Sequence, residues 1–145
     1  MSDAGHLNRA EVLSLLNQLL EAERAGARGV GAMSKQAVNA ESRAILREIA
    51  GDEARFCAML IRHVGRLGGA PSRHTGAFHT KLAALESTHE RLDLLDRGQG
   101  WVVRKLTEAL PRISDTSLRE DLKEMLDAHR RNIERCGFLR GRREA

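Results

Sequence analysis

The chain has no tyrosine, one tryptophan and three phenylalanines, so aromatics make up only 3% of it. Sandwich strands draw on aromatic and β-branched side chains, and single-stranded nucleic acid is bound on stacked rings. Both are excluded as expectations. There are only 2 prolines and 2 cysteines, Cys57 and Cys136. No CxxC pair or disulfide framework can be built from them, which fits a reducing compartment. No apolar run approaches the roughly 18 residues that a membrane span requires. Residues 1–9 lack the apolar stretch of a signal peptide. The chain therefore reads as soluble and cytoplasmic, with no membrane partner. It also lacks a glycine-rich phosphate loop, a nucleophile elbow and zinc-finger spacing.

What remains is rich in Leu, Ala, Glu and Arg, the residues of helices. The length of 145 residues, with 41% hydrophobic and 30% charged, suits one domain over residues 1–145 with a single core. The formal net charge is +4. Arg130, Arg131, Arg135, Arg140, Arg142 and Arg143 concentrate it near the C-terminus. A basic tail could meet nucleic acid, but arginines there also complement a helix dipole. With no recognition motif beside them, nucleic acid is not an expected partner.

Hydrophobic periodicity predicts four core helices, roughly 9–35, 41–67, 88–110 and 115–138. Asn8 with Glu11, Ser87 with Glu90, and Ser117 with Glu120 have capping-box spacing. The last helix opens near Ser114 or Ser117 on this basis. Gly68-Gly69-Ala70-Pro71 ends the second helix. Gly98 and Gly100 allow a break or bend in the third. The first and last connections are short, so each joins an antiparallel pair. The middle one is longer and carries a short apolar patch, Phe78, Leu82 and Leu85. The expected fold is all-α: an antiparallel four-helix bundle of two helical hairpins, with a crossover carrying a short helix.

Four polar residues interrupt the apolar stripes. The first helix runs Leu13, Leu16, Leu20, Glu23, Ala27, Val30, and the second Ile45, Ile49, Glu53, Phe56, Leu60, Val64. The third runs Leu92, Leu95, Gln99, Val102, Leu106, and the fourth Leu122, Met125, Leu126, His129, Ile133, Cys136. Each polar residue lies near the middle of its helix, so Glu23, Glu53, Gln99 and His129 can meet in one cross-section. Two buried carboxylates need a cation, a proton or hydrogen-bond donors. Carboxylates and imidazole suit iron, manganese or zinc. Gln99 alone, between two glycines, also suits a turn. His63 reads as a core-edge histidine with a backbone partner, and the two cysteines as small buried hydrophobes.

The segments Leu20-Glu21-Ala22-Glu23-Arg24-Ala25-Gly26, Asp52-Glu53-Ala54-Arg55-Phe56, Arg97-Gly98-Gln99-Gly100 and Ala128-His129-Arg130 resemble the ferritin-like superfamily, most of all its small rubrerythrin-related members. The resemblance covers about Glu11 to Cys136 and is one of layout. It implies a carboxylate-bridged two-metal centre acting on oxygen, peroxide or stored iron, in a bundle that often forms homo-oligomers. Glu23 and Glu53 match its acidic ligands, and His129 matches a histidine. Phe56 stands where a second histidine is expected, Leu126 where that of His129's Glu partner is, and Gln99 where a carboxylate is. Two carboxylates, an amide and an imidazole suit one divalent ion better than two. One iron, manganese or zinc ion, a metal-free network with His129 or a carboxyl holding a proton, and a shifted register remain open. With no metal, the chain would be a non-catalytic helical interaction module.

Overall fold

A computed structural model describes residues 5–144, and the side chains of residues 5–141. It is all-helical, with no strand among the described residues. Helices α1 (Arg9–Gln36), α2 (Ala40–Arg66), α4 (Thr88–Ala109) and α5 (Thr116–Glu144) are long, and α3 (Phe78–Ala84) is short. A 3₁₀ turn over Leu110–Arg112, carrying Pro111, follows α4. Among the described residues no helix is long and apolar enough to cross a membrane.

The helix ends follow from side-chain chemistry. Asn8 accepts from the Glu11 N–H at 2.8 Å, and Glu11 accepts from the Asn8 N–H at 2.9 Å, so the capping box is present. Gly68 takes φ of 81°, the left-handed conformation that releases the chain from α2. The start of α5 departs from expectation. Asp115, not Ser114 or Ser117, accepts from the N–H of Leu118 at 2.9 Å. Arg66 of α2 grips the same carboxylate at 2.9 and 3.0 Å, and this charge-assisted pairing favours Asp115 as the cap. That hydrogen bond from Arg66 also holds the Asp115 carboxyl below its usual range.

The apolar residues form two clusters. One gathers Leu16, Leu20, Phe56, Leu60, Val102, Leu106, Leu122 and Met125. The other gathers Val30, Ile49, Leu92, Leu95, Cys136 and Leu139. Along α1 the chain passes from the first cluster to the second, and along α2 it returns. It starts in the second again on α4 and ends there on α5. On every long helix the polar residue of the stripe falls between the two clusters. Helix α1 packs most closely on α2, and α4 on α5, while α1 also meets α3 and α4 and α2 meets α5.

The segment between α2 and α4 lies along α1. Asn17 accepts from the Ser72 N–H at 2.8 Å, and Ser72 Oγ donates to Glu21 at 2.6 Å. Gly29 of α1 is what admits α3: a Cβ there would come within 2.9 Å of Leu82 and 3.1 Å of Phe78. At Gly98 of α4 a Cβ would meet the Phe78 ring at 3.4 Å, an ordinary contact, so Gly98 lies beside Phe78 without being required by it. Helix α4 runs through Gly98, Gln99 and Gly100 without a break.

His63 is fully buried, and its partners are side chains rather than backbone. Nε2 lies 2.7 Å from Asp121 of α5, and Nδ1 lies 2.9 Å from Arg66. An arginine always donates, so Nδ1 accepts and Nε2–H donates to Asp121. Two arginines of the basic tail are spent internally. Arg135 reaches Glu48 at 3.2 Å, and Arg140 reaches Asp96 at 3.2 Å and Asp93 at 3.3 Å. The side chains of Arg142 and Arg143 lie outside those described.

Candidate functional site

The four stripe-breaking residues are all in the interior. Glu23 is 1% exposed, Glu53 3%, Gln99 2% and His129 0%. None of them splays toward solvent, and Gln99 is a helical core residue rather than a turn residue.

His129 is fixed at both ring nitrogens. Its Nδ1–H donates to the Met125 carbonyl at 2.8 Å, one turn earlier on α5. That leaves Nε2 to face Glu23, 3.0 Å from each carboxylate oxygen, with the hydrogen bond to Oε2. A neutral ring with its proton on Nδ1 would aim a lone pair at a carboxylate. Something positive must stand between them. A proton or a metal ion can fill that place. Burial works against the imidazolium, but the Glu23 carboxylate outweighs it and raises the His129 pKa above its ordinary 6.5. The Phe56 ring tilts against His129 with centroids 5.8 Å apart, so it fills space beside the imidazole.

Glu53 reaches this layer from α2 by lying over Gly26 of α1. A methyl group at position 26 would overlap the Glu53 carboxylate. Burial, then the neighbouring Glu23 carboxylate, push the Glu53 pKa well above the usual carboxylate range. Glu53 therefore tends to hold a proton where an exposed glutamate would not.

Glu23, Glu53 and Gln99 line one cavity of about 460 Å³, walled by Phe78, Leu95, Trp101 and Val102. At its polar end, Glu53 Oε1 and Gln99 Oε1 have no hydrogen-bond partner, and Glu23 Oε1 has only the His129 ring, 3.0 Å away. A buried acceptor left unpaired costs about 1–3 kcal/mol. The polar end therefore favours anything that brings positive charge or donors. Among the described residues, no group of three His, Cys, Asp or Glu side chains stands ready to hold a metal ion. A ligand set at this point has to draw on the Gln99 amide or on water as well.

Gly26 sits three residues after Glu23, on the same helix face; as a sequence feature it could equally weaken the helix, mark a bend or admit a neighbour, and the structure shows that it admits Glu53. Sequence reasoning missed two polar residues one turn from the layer. Asn132 sits three after His129; it is fully buried, with Nδ2 unpartnered and its Oδ1 bonded by Arg135 at 3.0 Å. Asp96 sits three before Gln99; Arg140 pairs with it at 3.2 Å, and Oδ1 has no hydrogen-bond partner. Cys57 and Cys136 are not part of this chemistry. Burial pushes their thiols up to about 11 and about 12, which keeps them protonated and unreactive.

A protein-family model described as a domain of unknown function, DUF6306, matches residues 10–138. No curated protein matches the chain.

Proposed function

The chain belongs to the DUF6306 family, a domain of unknown function, and from its buried layer we propose that it is a ferritin-like four-helix bundle whose reduced carboxylate–histidine centre binds one divalent transition-metal ion. The passage of α1, α2, α4 and α5 between the two apolar clusters supports two antiparallel hairpins. On this reading α3 belongs to the crossover that joins them. Glu23 and His129, already 3.0 Å apart, would be the first ligands. Glu53 and Gln99 would have to draw in to complete the set, since the two acids and the imidazole do not stand together as a ready site.

The observation that carries the proposal is the buried Glu23–His129 pair, in which the ring Nδ1–H is already committed to Met125, together with the unpartnered oxygens of Glu53 and Gln99. Such a backbone bond presents Nε2 as a ligand. Two ions fit poorly, because Phe56 fills the space against His129 and the donor set has only two carboxylates. Iron or manganese held there supplies redox chemistry, and zinc supplies none.

A second reading has an observation of its own. The raised pKa values of His129 and Glu53 let protons alone balance the layer. The centre would then fix helix register, and function would lie on the surface of a non-catalytic interaction module.

Elemental analysis of untagged protein separates the two. After reconstitution with Fe²⁺, Mn²⁺ or Zn²⁺ and dialysis, about one equivalent should remain in the wild type, and a small fraction of that in Glu23→Gln. Less than about a tenth of an equivalent with every metal would leave the metal-free reading.

A further inference from the structure

We propose that the cavity between α1, α3 and α4 is a binding site for a small primary amine, its ammonium head on Glu53 and Gln99 and its apolar body between Phe78, Leu95, Trp101 and Val102. The inference goes beyond metal binding. It draws on the same oxygens, so amine and metal exclude each other.

The residues at the polar end of the cavity carry two unpartnered acceptors, Glu53 Oε1 and Gln99 Oε1, beside the Glu23 carboxylate that His129 holds. The side chains of Glu23, Glu53 and Gln99 are all more than nine-tenths buried. An ammonium group has three N–H donors and no acceptor. On binding, the ammonium displaces the Glu53 proton to solvent and pairs with the carboxylate left behind, whereas a carboxylate or phosphate ligand would bring acceptors to acceptors. A neutral apolar ligand would leave the acceptors unpaired. The remaining wall is apolar and wide, which a bare ion has no use for. The volume of about 460 Å³ is that of an ordinary small-molecule pocket. Glu21 and Lys81 also line the cavity. Glu21 is engaged by Ser72, and Lys81 is exposed, so its ammonium group stays in water.

The test is calorimetric titration of chelator-treated, full-length protein with benzylamine and hexylamine. Benzyl alcohol and benzoate serve as neutral and anionic counterparts. At least one amine should saturate a single site, benzyl alcohol should bind about tenfold or more weakly, and benzoate should not bind. Gln99→Leu removes one acceptor without touching charge, and Val102→Phe fills the apolar wall. Each should weaken amine binding about tenfold or more. Melting curves show that both variants are folded, and Gln99→Leu alone suffices if Val102→Phe is not. Failure of both amines to saturate at millimolar concentration overturns the inference. So does benzoate binding as well as amine, or affinity unchanged in Gln99→Leu. Metal uptake without amine binding defeats this inference and leaves the metal proposal standing; amine binding without metal uptake does the reverse.

Discussion

Glu23→Gln should destabilise the fold by about 3–5 kcal/mol near neutral pH, the usual consequence of removing one partner from a buried ion pair. The substitution keeps volume and shape, so packing is not the cause. His129 would lose the carboxylate that outweighs its burial, and its raised pKa with it. The pH dependence gives the prediction a sign. A histidine whose pKa is higher in the folded state adds stability that is complete below its unfolded value, about 6.5. That stability is lost as pH rises through the folded value. Glu53 acts in the same direction for another reason. Its pKa is raised by burial and by Glu23. It binds its proton more tightly when folded, so stability falls as pH rises from about 4.3 toward the raised value. Urea unfolding across the pH range should show wild-type stability declining toward alkaline pH. Glu23→Gln should flatten the decline above about pH 6.5. A stability equal to wild type at neutral pH would show that the pair contributes nothing.

Gly26→Ala should cost about 1–3 kcal/mol, although alanine is the better helix former by about 1 kcal/mol. The added methyl has to displace the Glu53 carboxylate, which lies against the Gly26 backbone. The cost should nearly vanish in a Glu53→Ala background, where nothing remains to collide. A double-mutant cycle measures this directly, with an expected coupling of about 1–3 kcal/mol. Additive effects of the two substitutions would mean that Glu53 does not lie over Gly26.

The four polar positions were legible because a helix face repeats. A glutamate, glutamine or histidine in an apolar register has to be buried if the stripe is, and these four are. The cap at Asn8 was legible because both partners lie within one turn. Features that depend on a distant residue were not. Ser117 and Asp115 are both good caps in isolation, and Arg66, far away in sequence, favours Asp115. The partner of His63 is Asp121, on another helix. Gly98 next to Gly100 suggested a break or bend, and nothing local reveals that the helix runs through both. Gly26 raised the same difficulty: a glycine within a stripe can weaken a helix or admit a neighbour, and only the position of Glu53 decides. The activity was the least legible, because the layer departs from the ligand pattern it resembles on three of its four helices.

The most direct measurement is a ¹⁵N NMR titration of the His129 imidazole in metal-free protein. The predicted ring keeps its proton on Nδ1 throughout, and its Nε2 titrates above the ordinary 6.5. In Glu23→Gln that elevation should disappear. A neutral ring protonated on Nε2 alone, or a titration that Glu23→Gln leaves unmoved, would contradict the buried acid–imidazole centre.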